Sequence, residues 1–223
     1  MSIIIHGSIL SPFVRKVSLV AAEKNIAIER QDLNPFAPPA NFEEISPLRR
    51  IPVLEEDGFF LADSSAIVAY LDAKQPSPAL LSSEPKARGQ ALWIEEYADT
   101  ALASDIGLGV FRPALIKPMM GKPVDLEAIK EALTVTLPPR FAYLEAQIDG
   151  KEWFAGSELG VADIAVYSQI TSLLHTGHLP EAELYPSLMA HFAKIQARPT
   201  SQELLQTEIA VISAVKEKIQ GSK

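Results

Sequence analysis

The sequence contains no cysteine. A chain without thiols has no disulfide framework, no cysteine-ligated zinc site and no cysteine nucleophile. Any thiol chemistry at this protein therefore depends on a thiol that a bound molecule brings.

Basic charge and long apolar runs are also scarce. Lys and Arg number 20 against 28 Asp and Glu, so the formal net charge is −8. Because nucleic-acid phosphates are neutralised by clustered Lys and Arg, we expect no nucleic-acid partner. The sequence has no apolar run of about 18 residues and no secretion signal at its start, which predicts a cytoplasmic protein with no membrane partner.

Metal-ligand spacing is missing too. The four histidines stand at 6, 175, 178 and 191, and none belongs to an HExxH pattern. His175 and His178 are three positions apart, but no carboxylate or third ligand stands nearby. We expect no metal site.

Apolar residues, by contrast, make up 48% of the 223 residues, enough to bury one or two cores. Two strand patterns, at 2–6 and 26–32, flank a helical pattern at 12–24, which predicts a βαβ unit with parallel strands. The stretch "RIPVLEEDGFFLADSSAIVAYLD" then predicts a strand, a hairpin turn at Asp57-Gly58, a second strand and a helix.

The stretch "KQPSPALLSSEP" contains several Pro and Ser residues, which indicates a linker at 77–86. Beyond it the apolar residues recur at helical spacing, and the segments predicted as helices are 85–110, 125–148, 162–175 and 187–197. We therefore expect an α/β domain over 1–76 and an all-helical domain over 87–223.

Four motifs stand in a fixed order along this pattern: "SPFVRKV", "SPLRRIPVLEEDG", "LADSSAIVAYL" and "FAGSELGVADIAV". With them the sequence resembles the cytosolic glutathione S-transferases over essentially its whole length, nearest to serine-type subclasses such as theta, zeta and tau and to bacterial relatives. The resemblance implies a thioredoxin-like βαβ-ββα domain joined to a helical bundle, glutathione as co-substrate and a homodimer.

Ser11 has two interpretations. Serine followed by Pro12 is typical of a helix N-cap, which needs no further role. The resemblance implies that the Ser11 hydroxyl donates a hydrogen bond to the glutathione sulfur. Because a thiol titrates near ~8.5, such a bond would increase the thiolate present at neutral pH. Ser8 is the alternative donor.

Further glutathione contacts follow from the resemblance. It implies a cis Ile51-Pro52 bond, with the Ile51 backbone pairing with the cysteinyl unit of glutathione. Ser64, at the start of a helix, would hold the γ-glutamyl carboxylate, and Asp63 would approach the ammonium group. Arg50 would reach the glycyl carboxylate, with Arg49 as the alternative.

The electrophile is expected between the domains against apolar side chains. The candidates are Phe13, Phe36, Phe111 and Met119, with Trp93 and Tyr97 as weaker ones. The stretch "GLGVFRPALIKPMMGKP" is interpreted as a flexible lid.

Other motif residues are expected to be structural. Arg15 and Lys16 are expected on a solvent face or at a subunit contact, and Ser65 on a helix surface. Gly160 and Asp163 match the family's N-capping box and are assigned to folding alone.

The predicted function is a glutathione transferase that activates the thiol for attack on an apolar electrophile. Two alternatives stay open. One keeps the fold and the thiolate but performs isomerisation, dehalogenation or peroxide reduction. The other is a non-catalytic ligand-binding or interaction protein.

Overall fold

The fold is that of a computed structural model, which describes residues 2–34 and 36–221, the last four of these by their backbone alone. The N-terminal domain contains a four-stranded mixed sheet in the order β2-β1-β3-β4. Its strands are β1 Ile3–His6, β2 Ile28–Gln31, β3 Val53–Glu56 and β4 Phe59–Ala62. β1 pairs with β2 in parallel and with β3 antiparallel, as the βαβ-ββα pattern predicts.

The predicted hairpin at Asp57-Gly58 is confirmed. Both residues have positive φ, 50° and 81°, and the antiparallel β3 and β4 meet across them. Two-residue hairpins of type I′ require positive φ at both central positions, which Asp-Gly supplies at low cost. Two helices accompany the sheet, α1 Pro12–Glu23 and α2 Ser64–Lys74.

The described residues from 85 to 221 are mainly helical, in agreement with the prediction. The helices are α3 Pro85–Tyr97, α4 Ala103–Ile106, α5 Lys117–Met119, α6 Leu126–Glu131, α7 Leu137–Ile148, α8 Val161–His175, α9 Pro186–Gln196 and α10 Pro199–Gly221. π-Helical segments Ala98–Leu102, Gly107–Ile116 and Ala132–Thr136 join several of these helices without a break. Residues 75–84 connect α2 to α3.

Two details of the helical prediction are wrong. The segment interpreted as a flexible lid is helical up to Met119, and Pro113 lies inside a π-helical stretch. α10 is absent from the predicted segments. Its buried Leu205 and Ile212 follow helical spacing, but the exposed Ile209 and Val211 obscure the apolar stripe in the sequence.

The core is organised around α8. Its residues from Val161 to Leu173 are buried on every side, which is typical of a central helix. α1 packs on α8 and α2, and α3 also packs on α8, so α1 is enclosed by both domains.

The expectation that Arg15 and Lys16 lie on a solvent face is wrong. Their exposed fractions are 1% and 0%. Arg15 Nε lies 2.7 Å from Glu208 Oε1 of α10, and Lys16 Nζ lies 2.8 Å from Glu95 Oε1 of α3. These acidic partners, 193 and 79 positions away, make the burial of two cations in α1 possible.

Candidate functional site

A cleft of about 730 Å³ lies where the start of α1, the loop before β3, the start of α2 and the end of α3 meet. Its walls are formed by Ser11, Phe13, Arg49, Arg50, Ile51, Pro52, Asp63, Ser64, Ser65, Glu96, Asp99, Thr100, Ala103 and Ser104. The structure thus brings together every residue that the sequence predicts to contact glutathione, although these residues come from separate motifs. Phe13 joins them, whereas Ser8 is not part of the lining.

Ser11 occupies the N-cap position of α1, with φ −73° and ψ 125°, but its side chain makes no capping hydrogen bond. Its backbone carbonyl accepts from the Arg15 N–H at 2.9 Å, and its own N–H donates to the Ser8 carbonyl at 3.0 Å. The backbone therefore starts the helix unaided. Among the described residues the Ser11 hydroxyl has no partner, so it is available to a ligand in the cleft.

The Ile51-Pro52 bond is cis, as the resemblance implies. The pairing of β1 with β3 starts at His6 and Val53, so Ile51 lies just outside the sheet. A position beside the sheet, at the wall of the cleft, leaves the Ile51 backbone suitable for pairing with an extended peptide ligand.

Gly7 permits the close packing of this corner and was missed in the sequence. A Cβ atom at Gly7 would lie 2.5 Å from Val14 Cγ2 and 3.4 Å from Ile51 Cβ. The 2.5 Å distance is shorter than real Cβ contacts, whereas 3.4 Å is an ordinary contact, so glycine at this position is required by the close approach of Val14 in α1. A glycine directly after a buried strand was the available signal.

Asp63 caps α2. Its Oδ1 accepts from the Ser65 N–H at 2.9 Å and from the Ala66 N–H at 3.3 Å, and its φ is 80°. Ser64, the first residue of the helix, is 4% exposed and forms part of the cleft wall. The cap fixes the amino end of α2, whose free N–H groups favour an anion.

The charged groups of the cleft differ between its walls. Arg49 and Arg50 precede β3, while the carboxylates Asp63, Glu96 and Asp99 come from the start of α2 and from the α3 region. The Arg49 guanidinium lies 2.7 Å from Glu43 Oε1 in an exposed pair. Because Arg49 is engaged there, the geometry favours Arg50 as the cation for a ligand carboxylate.

A buried charge cluster lies under the start of α2. Lys16 Nζ donates to Ser65 Oγ at 3.1 Å and to Glu95 Oε1 at 2.8 Å, and it also bonds Asp99 Oδ2. Burial alone would lower the pKa of Lys16, but Asp99 and Glu95 raise it above its ordinary value. Burial raises the pKa of Asp99, an effect that Lys16 partly offsets. Ser65 lies on the surface of α2 at the cleft, as expected, but it is half-buried and also accepts the hydrogen bond from Lys16.

Three of the four candidate electrophile contacts lie apart from the cleft lining. Phe36 is 55% exposed and its ring lies 5.7 Å from the Arg112 guanidinium carbon. Met119, in α5, is 52% exposed, and Phe111 lies in the π-helical segment before it. Of the four, the structure places only Phe13 at the cleft.

Gly160 and Asp163 form the predicted capping box at the start of α8. Asp163 Oδ2 accepts from the Gly160 N–H at 2.8 Å, and its Oδ1 accepts from the Phe154 N–H at 2.9 Å. Within residues 2–34 and 36–221 no group of three His, Asp or Glu side chains is arranged to hold a metal ion. No helix in the same part of the chain is long and apolar enough to cross a membrane.

Two family models match the sequence. The glutathione S-transferase N-terminal domain matches residues 5–79, and the glutathione S-transferase C-terminal domain matches residues 113–208. The matches follow each other in the order that the fold requires.

Some curated relatives are named as glutathione S-transferases, and others carry names that do not describe a transferase. A glutathione S-transferase of Pseudomonas putida is 27% identical over 86% of this chain and 90% of its own length. The FtsZ-localized protein A of Caulobacter vibrioides is 22% identical over 90% of both chains. Elongation factor 1-gamma of Schizosaccharomyces pombe is 31% identical over 72% of this chain, which spans only 38% of that factor.

Among solved structures, a glutathione S-transferase from Rhodospirillum rubrum F11 has a TM-score of 0.82 and 26% identity over 91% of both chains. FzlA from C. crescentus has a TM-score of 0.83 and 21% identity over 92% of both chains. The second likeness concerns the fold alone.

Proposed function

Because the chain belongs to the glutathione S-transferase family, we propose that it binds glutathione in the cleft and stabilises its thiolate for attack on an apolar electrophile. The observation that carries the proposal is the Ser11 hydroxyl, which lies at the cleft without a capping bond. A thiol with a pKa near ~8.5 is only a few per cent ionised at neutral pH. A hydroxyl donor beside a helix N-terminus favours the anion, and about 2.7 kcal/mol of such stabilisation lowers the thiol pKa by about two units.

The proposed orientation of glutathione follows the charges of the cleft. Arg50 would bind the glycyl carboxylate, and the Ile51 backbone would pair with the cysteinyl unit. Ser64 and the first N–H groups of α2 would bind the γ-glutamyl carboxylate. This orientation places the cysteinyl sulfur in the middle of the ligand, near Ser11. Since one Asp63 oxygen is used by the cap, contact of Asp63 with the ammonium group depends on the other oxygen.

Turnover needs a second substrate beside the sulfur. Phe13 adds an apolar side chain to the cleft lining from α1, and Ala103 adds one from the helical domain. Phe36 and Phe111 do not line the cleft. Only an electrophile that extends beyond the cleft would contact them. Isomerisation, dehalogenation and peroxide reduction use the same thiolate and remain alternatives within this proposal.

A second candidate function is a non-catalytic binding protein. The relatives named as an elongation factor and as an FtsZ-localized protein favour it, because neither name describes a transferase. Retention of Ser11, Ile51-Pro52 and Ser64 in one cleft supports the enzyme instead.

We also propose a homodimer located in the cytoplasm. Exposed apolar side chains on the outer faces of both domains support a subunit interface, among them Phe59, Leu92 and Trp93. Sedimentation at several protein concentrations tests the dimer directly.

The cytoplasm suits the proposed chemistry because glutathione keeps thiols reduced there.

The experiment on function has two steps. Calorimetry with glutathione tests binding, and turnover is then measured with aryl halides, haloalkanes, epoxides and organic hydroperoxides. Binding with conjugate formation supports the transferase. Binding without turnover on any class supports the non-catalytic candidate, and an absence of glutathione binding would refute both the ligand and the thiolate mechanism.

A further inference from the structure

Lys16 is a buried cation with no role in the glutathione contacts proposed above. Its Nζ bonds side chains from three parts of the chain: Ser65 in α2, Glu95 in α3 and Asp99 in the following π-helical segment. The Lys16 side chain is 1% exposed, and those of Glu95 and Asp99 are 5% and 11% exposed. A lysine this deeply buried needs such partners, because an unpaired ammonium group inside a protein is strongly unfavourable.

The cluster lies next to the position proposed for an anionic group. Ser65 follows Ser64 directly in the first turn of α2, and both serines line the cleft together with Asp99. With Lys16 charged, the Lys16, Glu95 and Asp99 side chains sum to one negative charge. Without the lysine they would carry two, close to the helix end where a carboxylate is to bind.

We propose that Lys16 is a positioning residue for the carboxylate-binding end of α2, which it holds through Ser65 while it neutralises the acidic pair of Glu95 and Asp99. The inference rests on the proposed binding of glutathione. It concerns how the anion site is held and kept free of repulsion, since Lys16 itself does not line the cleft.

The charged groups around the cluster come from each packed element. Asp63, at the start of α2, raises the pKa of Asp99 further, and Glu96 faces the cleft from α3. α8 packs on α1 and α3, but its Asp163 is bonded to His191 and its His175 to Glu208. Among the described residues, Lys16 is the cation that bonds Glu95 and Asp99, whereas Arg49 and Arg50 lie on the other wall of the cleft.

This arrangement gives a pH signature that packing alone would not produce. The raised pKa of Lys16 keeps it charged across the neutral range in the native protein. In Lys16→Met, Asp99 would stay buried and lose the cation that offsets this burial, so its carboxyl group would hold a proton more readily at lower pH. At higher pH the Asp99 carboxylate would be charged with no cation bonded to it, and it would repel the bound carboxylate.

The test is calorimetry of glutathione binding near pH 6 and near pH 8, with the wild type, Lys16→Met and Lys16→Met/Asp99→Asn. We expect Lys16→Met to bind about tenfold more weakly near pH 8, in the range for losing a charged hydrogen-bond partner, and to recover part of the loss near pH 6. The double variant has one carboxylate fewer, so near pH 8 it should regain the part of the affinity that repulsion removes, while the part that depends on the Lys16–Ser65 bond stays lost.

An equal loss at both pH values with no recovery in the double variant would assign Lys16 to packing and overturn the inference. Unchanged affinity in Lys16→Met would overturn it as well, while a wild type that does not bind glutathione would overturn the proposed function too. If Lys16→Met does not fold, the single variant Asp99→Asn is the test. We then expect Asp99→Asn to bind glutathione near pH 8 at least as tightly as the wild type does, and clearly weaker binding would contradict the inference.

Discussion

Serine at an N-cap usually uses its hydroxyl to bond the helix backbone, and Ser11 does not. The difference matters for experiment, because substitution by alanine removes both the capping bond of a serine and any hydrogen bond that its hydroxyl donates to a ligand. Here no capping bond is present to be lost, so effects on stability and effects on chemistry can be separated.

Ser11→Ala should therefore leave stability nearly unchanged, well below the ~1 kcal/mol typical of a lost cap. The pKa of bound glutathione, measured by thiolate absorbance against pH, should rise toward ~8.5 because the donor to sulfur is gone. Turnover near neutral pH should fall and recover partly at higher pH. Ser8→Ala is the matched control, and a shift with Ser8→Ala instead of Ser11→Ala would transfer the role to Ser8.

Gly7 gives a second prediction at the scale of one residue. Gly7→Ala forces a Cβ against Val14 Cγ2 and must displace the Val14 side chain, so we expect a loss of about 1–3 kcal/mol, as for other overpacked cores. Urea unfolding measures the loss, and calorimetry should show weaker glutathione binding.

Gly89→Ala is the control for that substitution. Gly89 lies in α3 with nothing within 4 Å of its added Cβ, so alanine should be neutral or stabilise the helix by up to about 1 kcal/mol. Equal effects at the two glycines would contradict a special packing role for Gly7.

At the scale of elements, the start of α2 combines a helix cap with a wall of the cleft. Asp63→Ala should cost about 1 kcal/mol of stability because the Ser65 and Ala66 N–H groups lose their acceptor. Asparagine keeps an acceptor oxygen and tolerates a positive φ, so Asp63→Asn should retain stability.

The two variants separate the roles of Asp63. If the Asp63 charge also binds the ammonium group of glutathione, Asp63→Asn should lower affinity without lowering the melting temperature. If affinity is unchanged in Asp63→Asn, the residue acts as a cap alone.

The elements show where sequence patterns succeed. The strand and helix order of the first domain follows from alternation, turn residues and motifs, and the Asp57-Gly58 turn follows from backbone chemistry. The helix through Pro113 could not be predicted this way. Proline lacks an N–H and normally breaks an α-helix, whereas here a π-helical segment accommodates it.

The candidate site was predicted from the resemblance to the family rather than from periodicity. Ser11, Arg50 and Ser64 stand in motifs that the family shares, and the structure brings these motifs together at one cleft. Lys16 was misplaced because its partners lie in other elements, far away in sequence. Contacts of that kind leave no periodic signal in the chain.

At the scale of the whole molecule, Glu208 joins the two ends of the fold. Its two oxygens lie 2.7 Å from Arg15 Nε and 2.8 Å from His175 Nε2, and its side chain is 0% exposed. Burial alone would raise the pKa of Glu208, but Arg15 and His175 together hold it below its ordinary value.

A depressed carboxyl pKa contributes stability above the pKa of the unfolded chain, near ~4.3, and that stability is lost as the pH falls through the folded pKa. Glu208→Gln should cost about 3–5 kcal/mol near neutral pH, because it leaves Arg15 buried without its anion. The difference from the wild type should shrink as the pH falls below about 4. Urea unfolding at several pH values measures it.

Glu152→Gln is the control for this pH series. Glu152 pairs with Lys194 on the surface, where its side chain is 63% exposed, so its loss should change stability by less than about 1 kcal/mol. A constant difference between Glu208→Gln and the wild type down to acidic pH would contradict the charge-based account.

The bond between Arg15 and Glu208 also sets an order of events during synthesis. The two residues are 193 positions apart, a distance that a ribosome covers in roughly 10 to 40 s. Throughout that interval the Arg15 guanidinium lacks its native partner Glu208, so α1 cannot reach its final buried packing. The nascent chain thus carries the residues of the cleft early, and the native packing of α1 beneath them is complete only after α10 has been made.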